Sequence, residues 1–393
     1  MSANKKKKAL IIASMASMID NFNRKNIELL SAMGYDITLA ANFKSEDSNS
    51  YEKNQKFLAE MKKKGYHVVH IDFTRKLTNI SLQIKSIKQV RELFKRKFDI
   101  VHCHSPICSI ITRILFQKYR SKYNSKLLYT AHGFHFYKGA PKKNWLIYYP
   151  AEKICSYMTD VLITINKEDY SLAKQKMKAK KVEYLPGIGI DLNKFSNTDK
   201  DDSLKLTLGC KPEDIMLLSV GELSERKNQT VVINALDKLR KDDVVTFNKI
   251  KYYIVGKGHL EDYYKQLIRD KDLENSIKLL GFRNDIDRLL NTADVFIFPS
   301  IQEGLPVALM EAMASGLPVI ASRIRGNTDL IEKGKGGFLA DPYNVMEFEK
   351  CIRKLVENPN YFNHMKSINL STIKDFSDKI IIKKTEKIYS DLM

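Results

Sequence analysis

Val295-Phe-Ile-Phe-Pro299-Ser-Ile-Gln-Glu303-Gly304-Leu305-Pro306-Val-Ala-Leu-Met-Glu311-Ala-Met-Ala-Ser-Gly316-Leu-Pro318-Val-Ile-Ala-Ser322 holds a strand, a loop, a helix and a second strand in one run. Residues 295–299 and 318–322 are short apolar runs of the kind that fill buried parallel strands. Pro306 suits the first turn of a helix and places Glu311 in its second turn. A strand, a crossover helix and a parallel strand are the repeating unit of doubly wound α/β domains.

The same punctuation recurs along the chain. Strands are predicted at residues 9–14, 36–42, 67–72, 99–105, 126–132, 160–166 and 182–186, and a second series at 215–221, 251–256, 277–281, 295–299, 318–322 and 338–340. The polar stretch from Gly187 to Asp214 separates the two series. The expectation is two Rossmann-like α/β domains facing a central cleft: residues 1–190, residues 191–375, and a C-terminal helix over 376–393 that crosses back to the first domain.

Composition agrees with such a chain. Of 393 residues, 44% are hydrophobic and 28% charged, which excludes a disordered or fibrous protein. Sixty-six Lys and Arg against 46 Asp and Glu leave a net charge of +20, favouring polyanionic partners such as phosphate substrates, anionic lipid or nucleic acid. No nucleic-acid-binding module accompanies that charge, so a basic nucleic-acid-binding protein is the weakest reading. Five cysteines without a CxxC point to a reducing compartment. Lys5–Lys8 and the apolar run after it have the outline of a signal peptide, but Ser14 and Ser17 interrupt the run, which reads as a first buried strand. No apolar run reaches the ~18–20 residues of a membrane span.

Ligands of open α/β sheets sit at the carboxyl ends of the strands, so chemistry is sought there. After residues 295–299, Gly304 lets backbone approach a ligand, the helix start offers free N–H groups to phosphate, and Glu303 and Glu311 stand at two depths of one mouth. A capping loop with a solvated helix face is the plain alternative. In Gly221-Glu222-Leu-Ser-Glu-Arg226-Lys227-Asn228, two cations precede a helix and could clamp a diphosphate. Gly256-Lys-Gly258 lacks the third glycine of a dinucleotide fingerprint. Asp270-Lys-Asp272 and Asp285-Ile-Asp287 spell DxD but follow no strand directly and read as solvated faces. In the first half, His104 and His132 end strands, and His135 follows three residues later, on the acceptor side or packed. His102, Cys103, His104 and Cys108 could pass for a metal cluster, but strand alternation turns Cys103 away from the two histidines, and no metal is expected. Aromatic residues 134–149 interleaved with Lys138, Lys142 and Lys143, and the cationic stretch 80–98, suit a membrane interface as well as ordinary packed helices.

Glu303–Glu311 with Gly304, Leu305 and Pro306, the Gly221–Asn228 stretch, Val101-His-Cys-His-Ser-Pro106 and Thr130-Ala-His132-Gly-Phe-His135-Phe-Tyr137 together resemble the retaining glycosyltransferases of family 4, in their bacterial exopolysaccharide and capsule branch. The resemblance implies the GT-B fold and transfer of a sugar, with retention, from a nucleotide-diphosphate sugar, UDP-linked, to a lipid-linked saccharide at the inner face of the cytoplasmic membrane. It implies catalytic roles for His132 and Glu303 at the transferred sugar, diphosphate contacts for Arg226 and Lys227, backbone contacts at Gly304 and Leu305, a ribose contact for Glu311 and base contacts near Phe282 and Arg283. Many members carry Arg where this chain has Glu222, so the clamp would rest on Arg226 and Lys227, with no metal or other cofactor. The family's Gly-rich turn after the first strand is replaced by Met15–Phe22. A non-hydrolysing nucleotide-sugar 2-epimerase is the alternative enzyme of the same fold.

Overall fold

In a computed structural model, residues 6–45, 50–74, 78–195, 201–332, 335–358 and 360–392 are described. Lys5, and residues 196–200 of the polar connection, lie outside them. The chain divides into two compact units, Met1–Ile188 with Ile381–Met393, and Gly189–Ile380.

The first unit holds β1 (Lys8–Met15), β2 (Asp36–Asn42), β3 (His67–His70), β4 (Ile100–His104), β5 (Lys126–Ala131), β6 (Val161–Thr164) and β7 (Lys181–Tyr184), in the spatial order β3-β2-β1-β4-β5-β6-β7. All neighbours are parallel. The run that imitated a signal peptide is therefore a central strand: Ala9 to Ala13 are wholly buried between β2 and β4. Helices cover both faces, as a sheet of continuous apolar strands requires. Helix Asp378–Ser390 sends Ile381, Ile388 and Tyr389 into the core on one face.

The second unit holds β8 (Ile215–Val220), β9 (Ile250–Val255), β10 (Ile277–Gly281), β11 (Val295–Phe298), β12 (Val319–Ser322) and β13 (Gly337–Ala340), ordered β10-β9-β8-β11-β12-β13. Each sheet reverses direction beside its first strand, between β1 and β4 and between β8 and β11. Loops leaving the carboxyl ends of those strands diverge and open a crevice. Two helices start there from non-glycine residues in left-handed conformation, Ser105 at φ 68° and Asn228 at φ 56°. Asn228 is held there by its side-chain amide, which donates to the carbonyls of Pro299 at 3.1 Å and Pro342 at 2.7 Å.

One polar cluster is sealed inside the first unit. Arg113, wholly buried on helix Pro106–Tyr123, donates to Glu152 on helix Lys142–Ser156 at 2.7 Å and lies over the Tyr129 ring at 4.2 Å. The Tyr129 hydroxyl donates to the other Glu152 oxygen at 2.9 Å. Removing one member leaves a buried charge unpaired. Arg113→Ala and Glu152→Ala should each lose about 3–5 kcal/mol, whereas the apolar double substitution Arg113→Met with Glu152→Leu should lose much less. Urea denaturation of the four proteins checks this, and equal losses for single and double variants would contradict it.

Candidate active-site clusters

In the second unit, the loop after β11 is tied to the loop after β8. The Ile301 amide donates to the Arg226 carbonyl at 2.9 Å. Glu303 then receives both cations on one carboxylate oxygen, Oε1: Arg226 at 2.9 Å and Lys227 at 2.7 Å. No bond to Oε2 is recorded among the described residues. Lys227 also lies over the Phe298 ring at 4.7 Å, and its burial lowers its pKa. Glu222 adds a second carboxylate 3.9 Å from Arg226. Two cations thus face two carboxylates, and any anionic ligand would have to compete for them. The cations are nonetheless held in place before any ligand binds.

Two residues that sequence reasoning passed over support this mouth. Arg325, buried after β12, donates from Nε to the Glu303 carbonyl at 3.1 Å. Gly326, at φ 79°, lies so close that a Cβ there would stand 2.4 Å from the Gly304 carbonyl oxygen. Looking after every strand end would have found both. Leu305 is buried, which limits what it can offer a ligand to its backbone. Helix Val307–Ala314 follows, with Pro306 at its N-cap and no side chain capping it, so its first N–H groups are available.

Glu311 in that helix is half-buried, and burial raises its pKa to about 7, with Asp287 pushing the same way and Lys194 opposing. Lys194 belongs to the short helix Leu192–Phe195, a neighbour the sequence did not disclose. At neutral pH this carboxyl is part protonated, and two hydroxyls donating to it would draw it to the ionised form.

Phe282, just past β10, is 66% exposed and takes no part in the core. Arg283 folds onto Asp285 through two bonds of 2.8 and 2.6 Å, which leaves chiefly backbone to meet a ligand there. The same pair accounts for one DxD motif. In the other, Asp270 accepts from Gln266 on its own helix. Gly256 and Gly258 serve close packing: Cβ atoms there would come within 1.8 Å of the Gly221 carbonyl oxygen and 2.2 Å of that of Leu223.

In the first unit, His102, His104 and His132 stand together at the carboxyl ends of β4 and β5. His102 Nδ1 bonds the Tyr389 hydroxyl and its Nε2 bonds Thr130 Oγ1, both at 2.8 Å. His104 Nδ1 meets His132 Nε2 at 3.1 Å, and the Phe22 ring lies 5.5 Å from that of His132. His104 and His132 line a cavity of about 200 Å³, with Asp20 and Arg24 from the segment after β1 and an apolar wall including Ile163, Leu185 and Ile382. Met15–Phe22, left unread in the sequence, is mostly helix Ala16–Phe22 and carries Asp20 and Phe22 to this cavity. His135 is elsewhere: its ring stacks on Tyr148 at 4.6 Å and its carbonyl accepts from Asn144, so it is a packed residue and not part of the cavity. Cys103 donates to the Leu128 carbonyl, away from the histidines. Among the described residues no group of three or more His, Cys, Asp or Glu side chains is placed to hold a metal ion.

Burial lowers the pKa of His102 to about 3, of His132 to about 4, and that of His104 well below the ordinary imidazole value. Unfolding lets each regain a pKa near 6.5, so the unfolded chain binds more protons below that pH. The imidazole contribution should be steady above about pH 7 and fall towards pH 4, by about 2.7 kcal/mol per imidazole two pH units below 6.5. Glu311, displaced upward, runs the opposite way between about 4.5 and 7. Denaturant midpoints from pH 8 to pH 4.5 check the balance: His102→Gln should flatten the acid limb, and an unchanged slope would contradict the burial of a neutral ring.

The model of "Glycosyltransferase Family 4" matches residues 25–194 and that of "Glycosyl transferases group 1" matches residues 203–370. EpsD of Bacillus subtilis, named as a glycosyltransferase, is 31% identical over 98% of this chain and 97% of its own. An Escherichia coli enzyme named UDP-Gal:alpha-D-GlcNAc-diphosphoundecaprenol alpha-1,3-galactosyltransferase is 31% identical over 79% of this chain and 80% of its own. Among solved structures, HepE from Anabaena in complex with UDP superposes with a TM-score of 0.74 at 20% identity, over 98% of this chain and all of the other. With two parallel Rossmann-like sheets and relatives of this kind along nearly its whole length, the chain belongs to glycosyltransferase family 4, with the GT-B fold, and is a glycosyltransferase.

Proposed function

We propose that this enzyme moves a sugar, with retention, from a UDP-sugar to a lipid-linked saccharide during polysaccharide synthesis, and that it needs no metal ion to do so. The observation that carries the donor half is the Glu303 carboxylate bound by Arg226 and Lys227 beside an uncapped helix start. Arg226 and Lys227 hold the diphosphate, Gly304 and Leu305 present backbone to it, and Glu303 turns its free oxygen to the sugar's hydroxyls. Glu311 takes the ribose diol, and backbone at Phe282 and Arg283 meets the base. His132 contacts the transferred sugar. As the glycosidic bond breaks, charge grows on the departing phosphate, and fixed cations attract it more strongly then than in the ground state. Attack from the same face, assisted by that phosphate, gives retention.

UDP bound to HepE and the UDP-galactose and diphosphoundecaprenol in the name of the Escherichia coli relative support donor and acceptor. No feature of either unit favours the 2-epimerase, which would convert a nucleotide-sugar without any acceptor. A peripheral place on the inner face of the cytoplasmic membrane is supported by helix Lys142–Ser156. Leu146, Ile147 and Ile154, with Tyr157 just beyond its end, are exposed at helical spacing beside Lys142, Lys143 and Lys153. Apolar and cationic side chains in that arrangement suit the headgroup boundary. No described helix is long and apolar enough to cross a membrane.

Glu303→Gln should cut transfer at least about a hundredfold while the protein stays folded, and Arg226→Ala should weaken UDP binding about tenfold. Radiolabelled sugar transfer and calorimetry read the two, and a Glu303→Gln protein of full activity contradicts the assignment. Cosedimentation with anionic vesicles should be lost in the double variant Leu146→Asp, Ile147→Asp; retention by that variant contradicts the docking face.

A further inference from the structure

Two histidines two residues apart on β4 face the same side of the sheet, yet they are treated differently. His102 has both ring nitrogens bonded, to Tyr389 and Thr130, as a histidine built into a core should. His104 is equally buried, but its Nε2 has no partner among the described residues. A buried polar atom left unpaired is destabilising, so packing alone does not explain the residue. His104 also lines the cavity of the first unit, and its other nitrogen, Nδ1, is the atom that meets His132 Nε2 at 3.1 Å.

We propose that His104 is a positioning residue that couples an alcohol hydroxyl in this cavity to the tautomer of His132; the inference rests on the reading that His132 contacts the transferred sugar. Between two neutral imidazoles one hydrogen is shared out, and the geometry allows two arrangements. If a hydroxyl donates to His104 Nε2, that nitrogen must be a bare acceptor, and the ring's hydrogen sits on Nδ1. His104 Nδ1–H then donates to His132 Nε2, and His132 must carry its own hydrogen on Nδ1. A hydroxyl entering the cavity thereby makes His132 a donor at the one ring nitrogen it has left for a substrate oxygen. Both rings stay neutral and the number of bound protons is unchanged: His104 Nε2 gives its hydrogen to solvent, the His132 Nε2 hydrogen passes to His104 Nδ1, and His132 Nδ1 takes one from solvent. The hydroxyl expected is that of the saccharide acceptor of the proposed reaction, whose further hydroxyls would meet the polar side of the cavity, lined by Asp20, Asn21 and Arg24.

The test has two arms on the full chain. With 15N-labelled histidine, two-bond 1H–15N correlations read the tautomer of each ring. The expected result is that a simple alkyl glycoside, added at increasing concentration as the acceptor-like probe, drives His132 to the Nδ1–H tautomer in the parent protein and leaves it unmoved in His104→Phe. Kinetically, His104→Phe should lower kcat about tenfold or more with UDP binding unchanged, as a histidine left in the wrong tautomer does. His104→Asn, whose amide can still donate to His132 Nε2, should recover a substantial part. Should His104→Phe fail to fold, the spectra of the parent protein and of His104→Asn decide alone. A His132 tautomer that ignores the glycoside in the parent protein, or a His104→Phe enzyme with kcat within twofold, overturns the proposal. Coupled tautomers together with a fully active His132→Ala enzyme would instead overturn the role given to His132 and leave the coupling standing.

Discussion

The loops of the second unit depend on one carboxylate oxygen. Glu303 Oε1 accepts from Arg226 and Lys227 at once, and that pair of bonds joins the loop after β8 to the loop after β11. Each partner is fixed from behind. Lys227 is packed over Phe298, the Glu303 backbone is held by Arg325, and Asn228 draws the Pro299 and Pro342 carbonyls together. Strand order makes this possible, since β8 and β11 are neighbours at the point where the sheet reverses. Cations placed before the ligand arrives need little reorganisation as charge develops, which is the condition for electrostatic catalysis.

The first unit meets a different constraint. Burial lowers the pKa of three imidazoles and favours their neutral forms, and in a neutral ring the nitrogen that carries the hydrogen decides which side donates and which accepts. Tyr389 and Thr130 settle it for His102. Tyr389 comes from the last helix of the chain, 287 residues away in sequence, which gives that returning segment a polar role besides its apolar packing.

All thirteen strands found among the described residues were legible, the central ones as apolar runs because parallel strands covered on both faces carry continuous hydrophobicity, whereas the edge strands β3 and β7 are more polar and partly exposed. Three ends were read one residue too long, at Pro299, Ser105 and His132, which lie just past the strands. Glu303, Arg226, Lys227 and Glu311 were singled out by their places after strand ends and by family resemblance, and the first three meet in the structure. Arg325 was passed over, although it too follows a strand end, because nothing in its immediate sequence marks it out until tertiary packing buries it. Helix Ala16–Phe22 was missed because Met15 offers no capping side chain to mark its start. The glycines at 256 and 258 looked like a weakened nucleotide motif, whereas backbone crowding against Gly221 and Leu223 is their reason.

The central claim, that the clamp around Glu303 is a nucleotide-diphosphate site acting without a metal ion, is met most directly by thermal unfolding with UDP, GDP and ADP, each with magnesium and with EDTA. A ligand that binds only the folded state at 100 times its Kd stabilises by about 2.7 kcal/mol, a readily seen rise in Tm. The account predicts that UDP raises Tm and that EDTA leaves the rise unchanged. No response to any nucleotide, or a UDP response abolished by EDTA, would contradict it.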